Sequence, residues 1–241
     1  MRLNPVYKKE ALISARSYTL PFSITAVNAA LTLLVLISLY AISSNAEDTG
    51  EIAYTSFLRV YYLIAGIEFL MILLLSPALT ASSVTSERER KTLGILLTTQ
   101  LTPADIILGK LMSAMSTMAV IILSSAPVLA TIFIYGGVTV WQILLLLLIY
   151  FVTAIYTASI GILSSTLARS SAIATAAAYA AIFVSFGLMG ALLYFRDSMG
   201  LETGKLISGM LITMAFFSVL MIMLSERGIH LERHSRRKRK Q

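Results

Sequence analysis

The sequence predicts an all-α integral membrane protein with six transmembrane helices. Three observations carry that prediction. Of the 241 residues, 57% are hydrophobic and 13% are charged, against about 25% charged in ordinary soluble domains. The apolar residues gather into six runs of span length, and crossing a bilayer takes about 20 apolar residues. The basic residues alternate in density between successive connections, as topology signals do.

Residues 1–19 read as an amphipathic interfacial helix. Asn4 is an N-cap and Pro5 takes the first helical position. Leu3, Val6, Tyr7 and Ile13 share one side, and Lys8, Lys9 and Arg16 share the other. Glu10 and Leu12 interrupt the pattern. A helix lying on the cytoplasmic leaflet fits such a segment. No cleavable signal peptide is expected, because the first long apolar run is of span length and no cleavage site follows it.

Residues 20–224 hold the six spans, drawn at 20–42, 57–80, 106–135, 140–167, 172–195 and 206–224. Pro77 and Pro127 should kink the second and third. Small residues recur at four-residue spacing in the fourth (Ala154, Ala158; Gly161, Ser165) and crowd the fifth from Ala172 to Ala181. Such residues let helix backbones approach closely in lipid, within one bundle or between subunits. No internal repeat is evident, although an inverted one would have favoured a secondary transporter.

Sixteen of the 19 Lys and Arg fall on one side of this arrangement and three on the other, at Arg59, Arg196 and Lys205. By the positive-inside rule both termini and the 85–105 connection are cytoplasmic, in a multi-pass protein of the cell membrane. Residues 225–241 form a basic cytoplasmic tail. The run Arg236 to Lys240 is either a topology signal or a contact for anionic lipid headgroups. The net charge of +7 therefore reflects topology, and no nucleic-acid partner is expected.

The 85–105 connection is the one long charged interruption. Ser86 can cap a helix, with Glu89 three residues on to complete a capping box, and Glu87 and Glu89 suit the positive end of the helix dipole. Leu93, Leu96 and Leu97 then form a short apolar stripe. Thr102, with Pro103 first in the helix and Asp105 at the third position, opens the next long helix through a second capping box. The pattern specifies a short amphipathic helix, a break, and a span.

Few residues could carry chemistry. There is no cysteine, so thiolate metal sites and disulfides are excluded. Gly200 and Gly204-Lys205 imitate a phosphate loop, but the glycines are one residue too close and Leu206 stands where a hydroxyl must meet magnesium. His230 and His234 have metal-helix spacing, yet Glu232 is misplaced for a metalloprotease. No cofactor and no metal are expected on this chain. Glu68 is the one ionisable residue deep inside a span. Its charge there would cost on the order of 2.5–3.5 kcal/mol or more. It is an intramembrane gate or substrate contact, or a neutral acid hydrogen-bonded to a neighbouring helix.

Glu87-Arg88-Glu89-Arg90-Lys91-Thr92-Leu93, then Leu96-Leu97-Thr98-Thr99, Leu101-Thr102-Pro103, Ile106 and Gly109-Lys110, resemble the signature joining the second and third spans of type-2 ABC exporter permeases. The first helix, with Asn4-Pro5 and Lys9-Glu10, is similar to that family's elbow helix. Ser164 to Ala172, leading to Tyr179, resembles its turn between the fourth and fifth spans. Gly94 and Gln100 depart from the pattern, where the family often has Glu and Pro.

The resemblance implies a permease without enzymatic activity, paired with a separate cytoplasmic ABC ATPase that hydrolyses Mg-ATP. Two ATPase copies and a second permease copy, identical or paralogous, would complete the unit within membrane lipid. Glu87, Arg88, Glu89, Thr92 and Leu93 would lie in a coupling helix seated on the ATPase. Short outer loops and a lining of apolar residues with Ser and Thr suit an amphipathic or lipophilic cargo, a peptide in preference to a drug or lipid. The alternative is an ion-coupled secondary transporter or channel using Glu68.

Overall fold

A computed structural model describes residues 5–16, 18–49, 54–92, 102–134, 138–195 and 202–238. Every element among them is an α-helix: α1 (Pro5–Arg16), α2 (Thr19–Thr49), α3 (Tyr54–Thr80), α4 (Thr85–Glu89), α5 (Pro103–Ile134), α6 (Val140–Leu167), α7 (Ser171–Tyr194) and α8 (Thr203–Lys238). Six of the described helices are long and apolar enough to cross a membrane, as the sequence predicts. Lipid offers the backbone no partner, so spans satisfy their N–H and C=O groups internally.

Two helices outrun their apolar segments. α2 continues to Thr49, and α8 runs unbroken through the basic tail to Lys238. Neither extension contains a Pro to break the ladder. The stretch beyond 224 is not a loose tail at its start, since Ser225 and Ile229 are buried.

The chain divides into two compact units, one of residues 1–10, 73–116 and 152–241, the other of 11–72 and 117–151. In the first, Val6 of α1, Val84, Ile106, Ile107 and Leu111 of α5, Ala158 and Ile162 of α6 and Ile229 of α8 pack together. A second cluster in that unit joins Tyr156 and Ile160 to Ala178 and Ile182 of α7 and Met214 of α8. In the other unit Leu31 and Val35 of α2 meet Val60, Tyr61 and Ile64 of α3 and Val128 and Leu129 of α5. There Asn28 donates to Ser124 Oγ at 2.9 Å.

The small residues of α6 are a packing face inside the first unit. Ala154, Ala158 and Ser165 are fully buried, and the Ala154 carbonyl accepts from Ser76 Oγ at 3.1 Å. Gly161 marks the closest approach. A Cβ there would lie 2.0 Å from Thr80 Oγ1 and 3.2 Å from the Ala81 backbone nitrogen. The Thr80 hydroxyl is itself committed to the Ser76 carbonyl at 2.9 Å. Gly161→Ala should therefore destabilise by about 1–3 kcal/mol through overpacking. The check is the denaturation midpoint in detergent, and an unchanged midpoint would mean the two backbones part without cost.

Candidate functional site

The connection between α3 and α5 folds as a clamp. After Thr80 the chain turns through residues 81–84 and enters α4. The sequence predicts a local capping box from Ser86 to Glu89, and the structure does not form it. Ser86 lies inside the helix and its hydroxyl points back to the Ser83 carbonyl at 3.5 Å. The orphan N–H groups of the first turn need a partner. They find it 80 residues away: Ser165 Oγ of α6 accepts from Val84 N at 2.8 Å and Thr85 N at 3.1 Å.

Glu89 is released from capping its own helix and caps another. Its carboxylate accepts from the Ser171 backbone N–H at 2.7 Å and from the Ser171 hydroxyl at 3.0 Å. Ser171 opens α7, so the anion sits at the positive end of that helix dipole. The two Ser171 hydrogen bonds, backbone first, hold the Glu89 carboxyl below the usual carboxylate range. Next to it, the Arg88 guanidinium donates to the Ala168 carbonyl and, at 3.2 Å, to the Thr166 carbonyl. These are carbonyls at the C-terminal end of α6, where a cation is favoured. Adjacent residues of opposite charge thus grip the opposite helix ends of one turn.

Glu87 faces the other way. Lys110 Nζ, on α5, donates to Glu87 Oε1 at 3.0 Å, Glu10 Oε1 at 3.2 Å and the Ser83 carbonyl at 2.9 Å. The lysine side chain is 4% exposed, Glu87 15% and Glu10 30%. This explains why Glu10 breaks the amphipathic pattern of α1: it serves a buried cation. Tyr7 of α1 also meets Ser116 of α5, hydroxyl to hydroxyl, at 3.1 Å. Nothing local in the sequence signals that Lys110 gathers α1, α4 and α5.

α4 closes after five residues. The Lys91 N–H bonds the Arg88 carbonyl and the Thr92 N–H bonds the Glu87 carbonyl, a Schellman motif with Lys91 left-handed at φ 60°. The motif ends the helix before the predicted Leu93, Leu96, Leu97 stripe. Leu93 and residues to 101 lie outside the described residues. The second capping box forms as predicted. Thr102 N donates to Asp105 Oδ2 at 3.0 Å, and Asp105 N to Thr102 Oγ1 at 3.2 Å. Of the predicted site residues here, Glu87, Arg88 and Glu89 converge on neighbouring helices. Glu89, Arg90, Lys91 and Thr92 are exposed.

Glu68 belongs to the other unit. It is 5% exposed. Neither carboxyl oxygen has a hydrogen-bond partner. Ser125 and Tyr150 stand beside it, but their hydroxyls donate elsewhere, to the Ile122 carbonyl at 2.9 Å and the Ala65 carbonyl at 2.8 Å. The three side chains line one end of a cavity of about 20 Å³, whose remaining wall is apolar, with Leu31, Met71 and Ile122 among its residues. Ser125 belongs to α5 and Tyr150 to α6, so the hydroxyls beside the carboxyl come from neighbouring helices.

No curated protein matches the chain. The sequence model of the ABC-2 family transporter proteins matches residues 11–203, a stretch that includes the α4 clamp, Lys110 and Glu68. With well over half of its length matched and six helices fit to cross a membrane, the chain belongs to the ABC-2 transporter family, as a membrane permease of the ABC type.

Proposed function

We propose that this permease is the membrane subunit of an ATP-driven exporter, powered by a separate cytoplasmic ATPase docked on the 85–105 segment. The observation that supports this reading most is the fastening of α4. Arg88 and Glu89 tie it to the turn between α6 and α7, and Glu87 ties it through Lys110 to α5 and α1. A push on so short and well-anchored an element moves four helices together. The exposed groups from Glu89 to Thr92 are free of the bilayer's apolar runs and suit a polar groove on a partner.

In this reading Glu87, Arg88 and Glu89 transmit the stroke, and Thr92, with Leu93, meets the ATPase. Two ATPase copies carry Mg-ATP, and the permease binds no cofactor. Both termini face the cytoplasm, consistent with the distribution of positive charge. A second permease copy packs in lipid, and the exposed Ala176, Ala180 and Gly187 face of α7 is suited to close helix contact. The α1 residues Leu12 and Ile13 are exposed and apolar, as an interfacial helix seated in lipid requires. The cargo is amphipathic or lipophilic, a peptide in preference to a drug or lipid. An apolar groove of about 620 Å³ in the first unit, with Tyr156, Ser185, Thr213 and Phe217 on its wall, has a volume suited to such molecules.

The test is reconstitution. The chain alone in liposomes should move no cargo under a proton or sodium gradient, and should do so with its ATPase and ATP. Gradient-driven transport by the chain alone would overturn this reading in favour of ion coupling through Glu68.

A further inference from the structure

The cavity at Glu68 has a distinctive polarity. The carboxylate offers two acceptor oxygens without partners. The Ser125 and Tyr150 protons are spent on backbone carbonyls, so toward the cavity these hydroxyls present lone pairs. With Glu68 ionised, the polar end presents acceptors only, within an otherwise apolar wall. Burying a carboxylate without a donor is strongly unfavourable, so the arrangement asks for an occupant that brings donors and positive charge. Its size sets a further limit, because about 20 Å³ holds one group the size of a water molecule.

A primary ammonium meets all three conditions. It carries one positive charge, has three N–H donors, and its head is close to water in size. A metal cation fits less well, since hard cations collect about six or more oxygens and the polar end offers four, two from Glu68 and one each from Ser125 and Tyr150. The cavity takes only the head, so an alkyl chain attached to the nitrogen would lie outside it.

We infer that Glu68, Ser125 and Tyr150 form a binding site for the primary ammonium head of a cationic amphiphile, with Glu68 as the counter-ion. This deepens the transport reading by naming the charge of the cargo's head, at a site that shares no lining residue with the apolar groove of the first unit. It can be tested without the ATPase, so the two ideas fail separately.

The experiment uses the full chain in lipid nanodiscs and three small probes: hexylammonium, hexyltrimethylammonium and hexanol. Hexylammonium should stabilise the protein saturably and bind at least tenfold more tightly than the other two. The quaternary probe keeps the charge but has no N–H, and the alcohol lacks the charge. Glu68→Gln should erase the preference, and Ser125→Ala should reduce it. Equal binding of all three probes by the unmodified chain would overturn the proposal, even if Glu68→Gln failed to fold. So would an undiminished preference in Glu68→Gln. Absence of ATP-driven export by the unmodified reconstituted complex, with the amine preference intact, would sink the exporter reading and leave this site standing.

Discussion

Lys110→Met is expected to lower the denaturation midpoint in detergent by about 6–12 °C. The substitution keeps the length and apolar stem of the side chain but removes the cation at the centre of the cluster. Glu87 and Glu10, which the ammonium now holds at 3.0 and 3.2 Å, would face each other as like charges. The Ser83 carbonyl would lose its donor as well. Breaking a buried pair by deleting one partner costs roughly 3–5 kcal/mol. Glu10 is partly exposed and can regain water, so about 3 kcal/mol is the appropriate figure. In a chain of this size each kcal/mol moves the midpoint by about 2–4 °C. Glu87 is the more exposed to loss, because its second oxygen is already buried without a partner. Adding Glu87→Gln to Lys110→Met should therefore recover part of the deficit by removing the stranded charge. A single variant as stable as the parent, or a double variant worse than the single, would show that the cluster relaxes into solvent.

On the proposed exporter reading, Arg88→Met should separate ATP hydrolysis from transport in the reconstituted complex. Its guanidinium caps the C-terminal carbonyls of α6 at Thr166 and Ala168. Hydrogen bonds to a charged group contribute about 1.5–3 kcal/mol each. Losing two is enough to let α4 slip against the α6–α7 turn while Ser165 still caps its N-terminus. Export should fall at least tenfold, the equivalent of about 1.4 kcal/mol of lost linkage, while the complex still assembles and hydrolyses ATP. Combining it with Glu89→Gln, which weakens the grip on Ser171, should deepen the loss. Parallel loss of hydrolysis and export would instead place Arg88 in the docking surface. Unchanged export would remove it from the stroke altogether.

Much of the fold is legible because the bilayer imposes a single rule on the chain. Runs of apolar residues long enough to cross it must be helical, and all six predicted runs are helices. The Thr102–Asp105 box was equally legible, since donor and acceptor lie within three residues and face each other once the helix starts. The Ser86–Glu89 box has the same spacing and does not form. Ser165 reaches those N–H groups from another helix, and Ser171 draws Glu89 away. Local spacing cannot reveal a competitor 80 residues distant. The end of α4 was likewise hidden, because the left-handed residue is Lys91, a residue type with no special preference for that conformation.

By itself, then, the sequence determined that this protein crosses a membrane six times, where most helices lie, and that the charged stretch before α5 is its distinctive feature. It also singled out Glu68, since an ionisable group in an apolar run is costly wherever it points. Tertiary structure alone decided what those charges do. It turned Glu87, Arg88 and Glu89 toward three different helices, gave Glu10 a buried lysine, and set the Glu68 carboxyl beside Ser125 and Tyr150 at a small apolar cavity. The physical reason is range. Hydrophobicity and helix geometry act between near neighbours in the chain, whereas a charge or hydrogen bond takes the best partner that packing brings within about 3 Å.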